Sequence, residues 1–282
     1  MAADKTRLLS KHFCTAMSNY AAFRKVLDAA PSVAVLTGAG VSAESGIGTF
    51  RGTSGMWGTH KASDLASPQA FKSNPGLVWE FYEWRRSVAF KAVPNNAHLA
   101  LAEYENKCIE EKRTFTLITQ NVDGLHLRAG SRNVLEIHGS LRKVMCTKCK
   151  LITENTDIPI CEALKDQRYH LEMLNRQKIP VSHLPKCKNC GGLLRPHIVW
   201  FGENLDETIL LKCREALESC SLFLVIGTSG IVYPAAGFAS FVRGRGMPIA
   251  EFNMESPVAE FDYVFVGPCG TTLPKALGLM KM

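Results

Sequence analysis

No apolar run in this chain comes near the roughly 20 residues that span a bilayer. The longest, residues 33–36 and 222–226, are strand-sized, so no membrane attachment is expected. The N-terminus lacks the apolar core of a secretory signal. No basic run carries interleaved aromatics, so nucleic acid is not an expected partner despite a net charge of +7. Ten cysteines in 282 residues are too sparse for a disulfide scaffold. Internal repeats and low-complexity tracts are also missing. What these absences leave is a soluble globular protein whose charge can steer anionic ligands.

Hydrophobic residues make up 46% and charged residues 21% of the chain, a globular balance. Residues 33–37 read as a buried strand, short, apolar and followed by glycine. Residues 114–119, 222–226, 248–252 and 263–266 read the same way. Helical patterns fall between them, at 19–28, 75–90, 97–107 and 206–218. Buried strands alternating with helices predict an α/β fold, a parallel sheet covered on both faces. The stretch from 146 to 190 breaks this rhythm, being polar and strand-poor. The expected division is a discontinuous Rossmann-like domain over 19–140 and 191–275, with a small inserted module over 141–190. Residues 1–18 carry Lys5, Arg7 and Lys11 with no acid after Asp4, which suits either an organelle-targeting segment or a polar, unstructured start.

Gly38-Ala39-Gly40-Val41-Ser42-Ala43 follows the first strand and fits the G-x-G-x-x-G/A fingerprint of dinucleotide folds. Its glycines would let the backbone approach a pyrophosphate at a helix N-terminus. Gly227-Thr228-Ser229 and Asn253-Met254-Glu255 follow later strands, where an open parallel sheet binds its ligand. No lone acid closes a second strand about 20 residues after the glycines, so a redox dehydrogenase fits poorly. Instead there is a polar, glycine-rich loop, Gly46-Ile47-Gly48-Thr49-Phe50-Arg51-Gly52.

Cys146-x-x-Cys149 and Cys187-x-x-Cys190 supply four thiolates, the donor set of tetrahedral zinc. Four protein ligands leave no position for water, so the zinc would be structural. Cys161, between the pairs, is not expected to be a ligand.

Thr119-Gln120-Asn121-Val122-Asp123 ends a strand, and its buried Asn and Asp need partners, which ribose hydroxyls would supply. Glu136-Ile137-His138-Gly139-Ser140 precedes the first cysteine pair. Together with Gly38–Ser42, Thr49–Gly52, Gly227–Ser229 and Asn253, these segments resemble the sirtuin family of NAD-dependent protein-lysine deacylases, in family order from Val33 to Lys275.

The resemblance implies that NAD lies across the C-terminal edge of the sheet. Its pyrophosphate would sit near Gly38, Ala39 and Gly40. Glu44, Thr49, Phe50, Arg51 and Trp57 would belong to the cofactor site, with Phe50 shielding the reactive sugar. Asn121 and Asp123 would hold the nicotinamide end, with Gln120 and Val122 also in the cofactor site. Gly227, Thr228, Ser229, Asn253, Met254 and Glu255 would also belong to the cofactor site, with Cys269 near the adenine. The acyl-lysine oxygen attacks C1′ of the ribose, nicotinamide leaves, and His138 acts as general base on the ribose hydroxyls. The backbone near Val199, Trp200 and Phe201 would pair with a substrate peptide. Two departures stand out: Gly48 where many relatives have proline, and Gly124 where close relatives carry an acid.

Tyr82 and Arg85 are three apart and share a helix face, where a phenol and a guanidinium make a carboxylate site. On spacing alone Arg86 is an equal choice. The resemblance selects Arg85, in the pattern of the desuccinylase, demalonylase and deglutarylase branch, with Ala66 as a small residue lining the acyl pocket. Expected partners are therefore acylated proteins or peptides, and the expected state is a monomer in the mitochondrion, with cytosol and nucleus as further compartments. The competing readings are a plain deacetylase, a mono-ADP-ribosyltransferase using the same NAD site, and a non-catalytic NAD-sensing or zinc-scaffolded binding module.

Overall fold

A computed structural model of the chain describes residues 19–49, 56–165, 178–255 and 260–279. Phe50, Arg51 and the segment 1–18 lie outside the described residues. Helix α1 (Tyr20–Ala29) starts where the Asn19 side chain accepts the Ala21 and Ala22 N–H groups. Strand β1 (Ser32–Thr37) follows, buried along nearly its whole length. A 3₁₀ turn over Ala39–Ser45 leads to a two-residue hairpin, β2 (Met56–Trp57) and β3 (His60–Lys61). Three helices come next, α2 (Ala62–Leu65), α3 (Pro68–Ser73) and α4 (Pro75–Lys91), and then α5 (Asn96–Glu110). Proline at the first position of α3 and α4, with Ser67 and Asn74 as caps, fixes both starts.

Strand β4 (Thr114–Thr119) is followed by the short α6 (Leu125–Arg128), β5 (Val134–Glu136) and the longer β6 (Gly139–Cys146). Strands β7 (Ile152–Glu154) and β8 (Leu194–Ile198) pair antiparallel with β6, one on each side. The chain then returns through α7 (Glu207–Ser219), β9 (Leu222–Ile226), α8 (Phe238–Gly244), β10 (Ile249–Asn253), β11 (Tyr263–Val266) and α9 (Cys269–Leu277).

The main sheet runs β11-β10-β9-β1-β4-β5, all parallel. From β1 the chain first builds outward through β4 to β5, then returns to β1's other side with β9. The order therefore reverses between β1 and β9, and that is where such sheets open a ligand crevice. One face is packed by α1, α5 and α9, through Phe23, Leu101, Tyr104 and Leu273. The other is packed by α7 and α8, through Cys213, Leu217 and Val242. A third cluster lies off the sheet, where Trp79, Phe81 and Tyr82 of α4 meet Leu141 and Val144 of β6 and Trp200 after β8.

The expected α/β architecture is present, and the five predicted strands fall within one residue of their observed limits. The three-stranded antiparallel sheet that carries the cysteines was not expected. Its strands β6 and β8 lie mostly outside the 146–190 stretch, and the strand-poor reading of that stretch holds among its described residues except for β7.

Candidate active site and metal centre

Polar residues at the C-terminal ends of β1, β4, β9 and β10 converge on the crevice. Gly38 and Gly40 are glycines because the turn after β1 presses against the turn after β9. Gly40 N–H donates to the Gly227 carbonyl at 2.8 Å. A Cβ on Gly40 would stand 2.8 Å from Gly227 Cα and its carbonyl oxygen, and one on Gly38 would stand 2.8 Å from that oxygen. Gly227 itself has φ +59. Loop-on-loop packing therefore requires these glycines, in addition to any approach of a pyrophosphate.

Asn121 and Asp123 are nearly buried, at 8% and 5% exposure, and their partners lie within the protein. Asn121 Nδ2 donates to the Gly38 carbonyl at 3.0 Å and to Ser42 Oγ at 3.2 Å. Ser42 Oγ donates to Asp123 Oδ2 at 2.7 Å, and Leu125 N–H donates to Asp123 Oδ1 at 2.9 Å. Within the protein, Ser42 and the backbone thus pair with the Asn121 amide N–H and with both Asp123 oxygens, and the web ties the turn after β1 to the turn after β4. Beside it His98 and His126 are buried with ring centroids 4.7 Å apart, and burial lowers both pKa values, His98 to about 4. Gly124 has φ +73, which an acid would adopt only under strain.

Further along the crevice Gln120 Nε2 donates to Thr228 Oγ1, and Asn253 Nδ2 donates to the Thr228 carbonyl, both at 2.9 Å. Ser229, Met254 and Glu255 are exposed beside them. Glu44 is used at the N-terminus of α9, where its carboxylate accepts Gly270 N–H at 2.8 Å. Cys269 is buried under that turn. Thr49 is half-buried, and Trp57 is buried against Phe81, with ring centroids 5.7 Å apart. Trp57 belongs to the off-sheet cluster with Ala66, Tyr82 and Val122.

His138 follows β5 and is half-buried. Its Nδ1 lies 3.0 Å from the Gln120 carbonyl. A carbonyl only accepts, so Nδ1 carries the hydrogen and Nε2 keeps its lone pair. Burial lowers the His138 pKa, and the carbonyl bond partly opposes that. The result is a neutral imidazole with a basic nitrogen, as a general base requires. Gly139 next to it has φ +81, and a Cβ there would run into the His197 carbonyl of β8.

Tyr82 is fully buried, and Ala66, Val122 and Trp200 share its cluster. The Trp200 indole N–H donates to the Tyr82 hydroxyl at 2.9 Å. Burial pushes the Tyr82 pKa up to about 12, with the Arg85 charge opposing, so the phenol keeps its proton. The Arg85 guanidinium carbon lies 5.8 Å from the Phe81 ring centroid and 6.0 Å from that of Tyr82. Burial lowers the Arg85 pKa, while Tyr82 and Asp123 hold it up. Arg86 faces elsewhere: it donates to the carbonyls of Leu141, Asn155 and Asp157 and to Asn155 Oδ1. Spacing left the two arginines equal, whereas packing commits Arg86 to the antiparallel sheet. Phe201 N–H binds the Ala66 carbonyl and Val199 N–H binds the His138 carbonyl, both at 3.0 Å. The segment expected to meet a peptide is thereby fixed to both Ala66, the expected acyl-pocket residue, and the candidate base. Phe201 is 52% exposed, available to a bound chain.

The four sulfurs of Cys146, Cys149, Cys187 and Cys190 lie within 4.8 Å of one another. Tetrahedral zinc with bonds of about 2.3 Å spaces its sulfurs roughly 3.8 Å apart. The Cys146–Cys190 and Cys149–Cys187 separations are 3.5 and 3.8 Å, so the donor set fits one zinc ion. The N–H groups of Cys149 and Lys148 point at Cys146 Sγ and favour its thiolate. Cys161 is not part of this cluster.

A switch-point crevice lined by polar strand ends, in a chain that also carries a four-thiolate cluster, defines a nucleotide-binding α/β protein with a structural metal site. Within that class the chain belongs to the Sir2 family, which residues 38–234 match. It is 57% identical to an NAD-dependent protein deacylase of Daphnia pulex over 92% of this chain and 96% of that protein. It is 53% identical to the mitochondrial NAD-dependent protein deacylase sirtuin-5 of Canis lupus familiaris, over 94% of this chain and 88% of the relative. The crystal structure of a Sir2 homologue with NAD superposes with a TM-score of 0.79 at 39% identity, covering 93% of this chain and 94% of the other. A Sir2 complex with a p53 peptide and NAD+ gives a TM-score of 0.76 at 27% identity, covering 93% and 98%.

Proposed function

We propose that this chain is an NAD-dependent protein-lysine deacylase of the sirtuin-5 type that prefers acidic acyl groups, succinyl, malonyl or glutaryl. The deacylase assignment follows from the relatives named above. NAD supplies an electrophilic ribose carbon that carries nicotinamide as leaving group. The chain's residues do the rest. The turns after β1, β4, β9 and β10 bind and orient the dinucleotide. Asn121 and Asp123 hold the nicotinamide end, rigid because Ser42 cross-links them. His138 takes a proton from a ribose hydroxyl at Nε2, since its Nδ1 is already committed to Gln120. The cysteine cluster holds one structural zinc. The peptide lies along residues 199–201. The compartment is the mitochondrion, by likeness to relatives that bear that address.

One observation carries the acidic preference. Tyr82 and Arg85 place a neutral phenol and a guanidinium in the cluster that holds Ala66, while Arg86 is spent on the antiparallel sheet. A desolvated carboxylate needs such donors, and a neutral acetyl group does not. Succinyl- and acetyl-lysine forms of one peptide, turned over by wild type and Arg85→Met, test the reading. The expected outcome is a wild-type preference for succinyl that Arg85→Met flattens or inverts, through a loss of roughly 2–5 kcal/mol on the succinyl side. An unchanged ratio leaves a plain deacetylase.

A further inference from the structure

Trp200 is 2% exposed, follows β8 and clusters with Ala66 and Tyr82. Its Nε1–H donates to the Tyr82 hydroxyl oxygen at 2.9 Å. An indole N–H only donates, so in this bond the phenol is the acceptor and its own hydrogen points away from Trp200. The Arg85 guanidinium also hydrogen-bonds the phenol, and it too only donates. With these two donors at one hydroxyl, its hydrogen is directed to an acceptor other than either of them, which a ligand carboxylate would supply.

The indole is held firmly in that pose. The Arg195 guanidinium carbon lies 3.4 Å from the Trp200 ring centroid. Glu203 grips Arg195 through both carboxylate oxygens, at 2.6 and 2.8 Å. The same carboxylate accepts the Trp200 backbone N–H at 2.9 Å. Phe71 packs against the ring at 5.2 Å between centroids. Turning the indole would break the stack and leave the phenol free to rotate.

Resting on the acidic-acyl reading above, we propose that Trp200 is a specificity-positioning residue of the acyl pocket: braced by Arg195 and Glu203, its indole N–H turns the Tyr82 hydroxyl hydrogen toward the acyl terminus, where a carboxylate accepts it. An acetyl methyl has nothing to accept that hydrogen. The orientation of Tyr82 therefore matters for acidic tails and is of little consequence for neutral ones.

The test is a double-mutant cycle on the ratio of succinyl to acetyl kcat/KM in wild type, Trp200→Phe, Tyr82→Phe and the double variant. Trp200→Phe keeps a ring and removes the N–H. The expected result is a fall in the ratio of roughly 3- to 10-fold, the effect of one lost hydrogen bond. In the Tyr82→Phe background the same change should move the ratio less than about 2-fold, because the hydroxyl it acts through is gone. If Trp200→Phe does not fold, 3-benzothienylalanine at position 200 keeps the shape of the indole and lacks the N–H. A wild-type succinyl preference with an unchanged ratio in the position-200 variant overturns the proposal alone. So does an equal fall in both backgrounds, which would make Trp200 act independently of Tyr82. A wild type without a succinyl preference overturns the acidic reading, and this proposal with it.

Discussion

His138 illustrates how one backbone contact sets a side chain's chemistry. The Gln120 carbonyl fixes the tautomer, and burial keeps the ring neutral. A lowered pKa means the basic form is already complete at neutral pH. Activity should therefore be level above about pH 7 and fall only as pH drops below the ordinary histidine value of about 6.5. His138→Ala should still bind NAD and lose on the order of 100- to 10,000-fold in turnover. Calorimetric NAD titration with a kcat/KM profile from pH 5 to 9 checks both halves. Near wild-type turnover in the variant, or an acid limb centred above 7, would remove His138 from the role of base. The residue types of this site were legible in the sequence because each stands in a short local motif. The contacts that tune them were not. Trp200 and Tyr82 are 118 residues apart, and nothing in either neighbourhood announces their hydrogen bond.

At the scale of elements, the core strands could be read because they are buried on both faces and so form unbroken apolar runs. Strand β6 could not, since Arg142 and Lys143 interrupt it and its burial is mixed. Helix α9 was hidden by Gly270 and Pro274, which read as loop residues. The glycine turn was recognised, yet the reason for its glycines emerged only from the packing of two turns. That packing makes a prediction. Gly40→Ala places a methyl 2.8 Å from the Gly227 backbone, where neither side is a flexible side chain that can move aside. Overpacking of this kind costs about 1–3 kcal/mol. Thermal unfolding of Gly40→Ala should show a lower Tm together with weakened NAD binding, because the same two turns form the crevice. A variant with wild-type Tm and affinity would mean the turns separate at no cost.

Across the whole molecule, helix α4 couples the antiparallel sheet next to the cysteine cluster to the proposed acyl pocket. Its Arg86 binds the backbone of Leu141, Asn155 and Asp157, and its Glu83 carboxylate accepts Ile160 N–H at 3.3 Å. The neighbouring positions on the same turns are Tyr82, clustered with Ala66 of the proposed acyl pocket, and Arg85 beside it. The parallel sheet with its crevice has separate cores on both faces, built from α1, α5, α9, α7 and α8. Loss of zinc should therefore reach the acyl site before it reaches the dinucleotide site. In Cys187→Ala, three sulfurs no longer close a tetrahedron, and the binding energy of a structural zinc is folding energy for the segment it ties. The expected outcome is loss of the single metal equivalent measured by mass spectrometry, a lowered first unfolding transition, and succinyl-peptide turnover reduced far more than NAD affinity. Full metal content with normal melting would refute the zinc assignment. Metal loss that weakened NAD binding and peptide turnover in equal measure would show instead that the two cores unfold as one, and that α4 is no private link between the metal and the acyl pocket.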